Sequence, residues 1–120
     1  MKSIRIPLVA ALTLVVFALA ALPAQAATPT KLVATVGPGF NITITKAGKK
    51  VRTLKPGIYS ITVRDRSNIH NFHLRGTGVN KDSGVRAVAT RTWRVTFKKG
   101  TYRYVCDPHA SSMKGSFKVA

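Results

Sequence analysis

The chain has 120 residues, with 20 Lys and Arg, three Asp, no Glu and a single Cys, for a formal net charge of +17. That length allows one small domain with one core. A lone cysteine excludes an internal disulfide, and so positive a field favours anionic partners over cationic ones.

In chain order, the first segment is not expected to join the fold. Lys2 and Arg5 precede a charge-free apolar run, Leu8 to Leu22, and then Ala24-Gln25-Ala26, a small-x-small cleavage site. This order predicts a secretory leader over residues 1–26 and a mature domain over residues 27–120. The run is short for a membrane span, so no transmembrane segment is expected after cleavage. An uncleaved anchor helix is disfavoured by Pro23 and the cleavage site that follow the run. The expected location is periplasmic, extracellular or on the cell envelope. Loss of Lys2 and Arg5 leaves eighteen cations against three acids, a net +15. A lone thiol in an oxidising compartment must be buried, paired between molecules, or masked by a metal.

Period-two alternation, the mark of half-buried strands, then fills the chain. Leu32, Ala34 and Val36 share one face, and Gly37-Pro38-Gly39 ends their strand. Phe40, Ile42 and Ile44 share the next. Ala47 to Lys50 and Leu54 to Gly57 read as turns, with Pro56-Gly57 placed as a tight turn favours. Tyr59, Ile61 and Val63 alternate before a turn at Asp65 to Asn68. Ile69 to Arg75 is a predicted strand, Gly76 to Gly84 a loop, and Val85 to Ala89 is ambiguous. Trp93, Val95 and Phe97, then Tyr102, Tyr104 and Cys106, then Phe117 and Val119 complete the pattern. No helical period appears. The expectation is an all-β sandwich or barrel of about seven or eight strands.

The chemistry lies where strands end. Cys106 is the last inward residue of its strand, with His109 three and Met113 seven positions later. Thiolate, imidazole and thioether on one short loop form a soft donor set, which selects copper or iron–sulfur chemistry over magnesium or calcium. Alternation puts His70 with Phe72 and Leu74 on the core face, so His70 can supply a second imidazole. His73 falls with the polar set and is expected to be an exposed strand histidine.

The motif Tyr104-x-Cys106-x-x-His109-x-x-x-Met113-x-Gly115-x-Phe117-x-Val119, with His70-Asn71 upstream, resembles the cupredoxin family over Lys31 to Ala120. It is most similar to the plastocyanin, amicyanin and pseudoazurin type. The resemblance implies a Greek-key β-sandwich with one type 1 (blue) copper per chain. It implies His70, Cys106 and His109 as strong ligands and Met113 as the weak axial ligand. It also implies that Asn71 bonds to the Asp107 region, tying two loops together. The His109–Met113 spacing lies between the shorter amicyanin-like and the longer plastocyanin-like loops.

The expected function is single-electron transfer, with a non-redox copper chaperone or store as the alternative. Four protein donors leave no open position for substrate, which argues against an enzyme. A cysteine hydrolase using Cys106 with His70 or His109 as base is disfavoured by the small size and by Met113 on the same loop. The expected partner is a redox protein with an acidic docking surface. The cations are spread from Lys31 to Lys118 in sequence, so electrostatic contact with an anionic envelope is also open. Nucleic acid is not expected, because no binding motif is present.

Overall fold

A computed structural model describes residues 1–23 and 28–120. The predicted cleavage site after Ala26 lies outside the described residues. Residues 1–23 have no regular secondary structure, and their apolar side chains are exposed. Among the described residues, no helix is long and apolar enough to cross a membrane.

Ten strands follow: β1 Thr30–Val36, β2 Ile42–Lys46, β3 Lys49–Lys50, β4 Thr53–Leu54, β5 Gly57–Asp65, β6 His73–Gly76, β7 Val79–Asp82, β8 Ala89–Phe97, β9 Gly100–Val105 and β10 Lys114–Val119. They form two five-stranded sheets, ordered β3-β2-β1-β5-β8 and β4-β10-β9-β6-β7. The chain crosses between sheets from β3 to β4, from β4 to β5, from β5 to β6, from β7 to β8 and from β8 to β9. The result is a Greek-key sandwich. Pairing is antiparallel except for β1 with β5 and β10 with β4.

Alternation is the cause. Leu32, Ala34, Val36, Tyr59, Ile61, Val63, Val95, Phe97, Tyr102, Tyr104, Phe117 and Val119 are all buried in one core. Their β-branched and aromatic side chains suit a pleated, half-buried surface. Rings interlock across the layers: Phe97 meets Tyr102 edge-on at 4.7 Å, and Tyr102 stacks on Phe117 at 5.5 Å. Tyr104 pairs with Gly115 across the β9–β10 ladder, and its ring covers that glycine. A Cβ at Gly115 would overlap the ring, so only glycine fits.

The structure corrects four expectations. Gly76–Gly84 is mostly a hairpin, because β7 is an edge strand with a single buried residue, Val79, and shows no apolar alternation. Lys49–Lys50 is an edge strand after a turn whose central residues, Ala47 and Gly48, have φ of 49° and 79°. Two positive values in succession suit a tight hairpin. Ile69–Phe72 is not strand; the ladder begins at His73. Phe40 precedes β2 and is 68% exposed, so it does not share the inward face with Ile44.

Candidate metal centre

One end of the sandwich is built from three loops. The first follows β1. Gly37, with φ of +70°, packs so tightly that a Cβ there would lie 2.7 Å from Ser67 Cβ and 3.5 Å from His70 Cδ2. The second joins β5 to β6 and carries His70. It is held at both ends. Asp65 Oδ2 accepts from Ser83 Oγ at 2.7 Å, and Ser83 Oγ accepts from Phe72 N at 2.8 Å. Asp65 Oδ1 accepts from Ser67 N at 3.2 Å. Burial raises the Asp65 carboxyl pKa, although these bonds pull it back.

The third loop joins β9 to β10. Cys106 ends the inward row, and Asp107–His109 forms one 3-10 turn with Pro108 near its start. The fixed φ of proline suits that position. His109 N donates to Cys106 O at 3.0 Å, and Met113 N donates to His109 O at 2.8 Å. Cys106 N donates to Met113 O at 3.0 Å, closing the loop on itself.

These loops bring His70, Cys106 and His109 together. Cys106 Sγ lies 3.6 Å from His70 Nδ1 and 3.5 Å from His109 Nδ1, and the two Nδ1 atoms are 3.0 Å apart. Donors so spaced fit a shared ion bound at about 2.0–2.3 Å, the usual metal–nitrogen and metal–sulfur lengths. His70, Cys106 and Met113 are buried, and His109 is half-buried. His70 Nε2 has no hydrogen-bond partner among the described residues. Both rings face Cys106 through Nδ1.

Phe40 was not singled out by its sequence. Its ring meets both His70 and His109 edge-on, each at 5.0 Å, and covers the pair from outside. A bulky apolar residue after Gly-Pro-Gly was the available signal, and the alternation with Ile42 masked it.

Asn71 is fully buried beside His70. Asp107 N donates to its Oδ1 at 2.7 Å, and its Nδ2 donates to Asp107 Oδ2 at 2.7 Å and Asp82 Oδ1 at 2.9 Å. The link between the two ligand loops is thus present. His73 corrects the sequence reading: it is buried, not exposed. Its Nδ1 donates to Asp107 Oδ2 at 2.8 Å, and its Nε2 lies 2.7 Å from Asn80 Oδ1. Arg75 lies over the ring, with Nε and Nη2 3.0 Å from the ring nitrogens. Burial pushes the Asp107 pKa up, but Asn71, His73 and Arg75 together hold it below the ordinary carboxylate value. His73, Asp82 and Asp107 also converge, yet His73 is bonded to Asp107, Asp82 accepts from Asn71 and Gly84 N, and the Arg75 cation lies beside them, which disfavours a second ion.

The sequence matches the description "copper binding proteins, plastocyanin/azurin family" over residues 7–120. No curated protein matches it significantly. Among solved structures, it is similar to reduced rusticyanin at 23% identity and TM-score 0.56, covering 80% of this chain and 82% of that one. Rusticyanin from Thiobacillus ferrooxidans is 26% identical at TM-score 0.52, covering 75% and 76%. A chain of a heme-copper terminal oxidase dimer is 20% identical at TM-score 0.53; the match covers 75% of this chain and 63% of the oxidase chain. With a soft donor set gathered at the end of such a sandwich, the cofactor is copper, and the chain belongs to the plastocyanin/azurin family of copper-binding proteins.

Proposed function

We propose that this chain is an exported type 1 copper protein that carries single electrons between redox partners. His70, Cys106 and His109 would hold the copper strongly, and Met113 would bind it weakly. The observation that carries this reading is the convergence of two Nδ1 atoms and one Sγ within 3.6 Å on mutually bonded loops. When bound there, copper supplies a one-electron couple whose thiolate ligand provides a covalent route for the electron. The chain's own residues fix the donors, exclude water and leave no open position for substrate, so the protein is a carrier and not an enzyme.

The leader over residues 1–26 directs export, and the mature domain works in the periplasm or on the envelope. This is supported by the basic start and the charge-free apolar run. His109 is the ligand nearest solvent, flanked by Pro108 and Ala110, so electrons leave through its edge to an acidic partner. Stopped-flow reduction of the Cu(II) protein tests the reading. The expected result is fast, reversible reduction, slowed by salt for an anionic reductant and quickened for a cationic one. Release of copper on reduction would instead identify a copper store.

The axial assignment has its own test. Met113→Leu is expected to keep copper bound and to raise the reduction potential, because a weak axial thioether tunes the metal more than it holds it. Voltammetry and metal analysis check this. A variant without copper would place Met113 among the main ligands.

A further inference from the structure

Three rings meet at the copper end. His70 and His109 lie edge-on to each other with centroids 4.7 Å apart. Phe40 is edge-on to both at 5.0 Å, with interplanar angles of 70° and 87°. Each side of this triangle is an edge-to-face pair, so each ring limits the tilt of the other two. Phe40 is the one corner that offers no donor atom to a metal.

The sandwich has no need of a phenyl at this position. Phe40 lies outside the core, and it is the most exposed large apolar side chain among residues 28–120. Its loop is nonetheless firmly built. Gly37 N donates to Asn41 O at 3.0 Å and closes the loop. Arg66 N donates to Val36 O at 2.9 Å, which ties the base of that loop to the His70 loop. Metal-binding imidazoles usually donate a hydrogen bond through their second ring nitrogen. No such partner faces the buried Nε2 of His70 among the described residues. Its ring is therefore oriented by packing, beside Gly37 and edge-on to Phe40.

We infer that Phe40 is a positioning residue for the copper centre. It holds both imidazoles with Nδ1 turned toward Cys106, and it keeps water from the ion they bind. This rests on the reading of His70 and His109 as ligands. An edge-to-face pair biases an orientation by roughly two- to tenfold, and Phe40 makes two of them. Groups that orient metal ligands are worth about 10–100-fold in metal affinity. An apolar cover also lowers the local polarity, which favours the less charged Cu(I) state and raises the reduction potential.

The test compares the full chain with Phe40→Ala, Phe40→Tyr and Ile58→Ala. The last removes an exposed apolar side chain from the far end of β5. Circular dichroism confirms folding, and Phe40→Leu stands in if the alanine variant does not fold. In the metal-free protein, histidine ring NMR signals feel the ring current of a nearby phenyl. Those of His70 and His109 should both move in Phe40→Ala and stay in place in Ile58→Ala. A chelator should strip copper from Phe40→Ala about tenfold faster or more, and its reduction potential should fall. Phe40→Tyr keeps the ring, so its copper loss should stay within about threefold of wild type and its potential close to wild type. Unmoved histidine signals overturn the proposal. So does wild-type copper retention and potential in Phe40→Ala, or a Phe40→Tyr variant as impaired as the alanine one. His70→Ala, measured alongside, separates two failures. If it too keeps copper, the ligand reading has fallen with the proposal. If it loses copper while Phe40→Ala does not, only the role of Phe40 is refuted.

Discussion

Replacing Cys106 with serine is expected to abolish the intense visible absorption of the Cu(II) protein completely. That band is charge transfer from a thiolate to copper, and Cys106 is the only cysteine in the chain. A hydroxyl is a harder, poorer donor for copper than a thiolate. The change is close in shape, so the sandwich should persist. The cost is that of a buried hydroxyl without an assured partner, about 1–3 kcal/mol. Visible absorption and circular dichroism of the loaded variant check both halves. A band that survives would show that Cys106 is not the ligand.

The second large effect is expected from Asn71→Ala. Asn71 lies beside His70, and its one amide joins the His70 loop to the Cys106 loop through two hydrogen bonds to Asp107 and to β7 through a third to Asp82. Removing it leaves the Asp107 amide and two carboxylates without that partner, costing about 2–4 kcal/mol. Copper should be lost to a chelator at least about tenfold faster, in line with other partners that orient metal ligands. His73→Ala should be milder, since Asn71 still binds Asp107, and should keep the visible band. Denaturant melts and timed chelation of both variants decide. Wild-type stability and copper retention in Asn71→Ala would refute the positioning role.

Strands that bury one face and expose the other were legible because their side chains alternate. Tyr59-Ile61-Val63 and Tyr102-Tyr104-Cys106 are buried as their period implies. Segments whose burial has no period were not. Edge strand β7 buries only Val79, and β3 buries nothing, so neither leaves an apolar trace. His70 lies inward as expected, but it sits in a loop fixed by Asp65 and Ser83 and not on a strand. His73 shows the limit most clearly. Alternation assigned it to the polar face, and a polar face is solvent only if nothing covers it. Asp107, Asn80 and Arg75 do cover it, and that depends on where the 107–109 turn lands. The gathering of His70, Cys106 and His109 at one end follows from alternation and spacing; the bond between Asn71 and Asp107, 36 positions apart, came from the family resemblance alone, and the contacts of His73 with Asp107 and Asn80 came from neither.

The most direct measurement is titration of the metal-free protein with Cu(II), followed by visible absorption. The account predicts an intense band that grows linearly and saturates at one copper per chain. A protein that binds one equivalent of Cu(II) and stays colourless would contradict it.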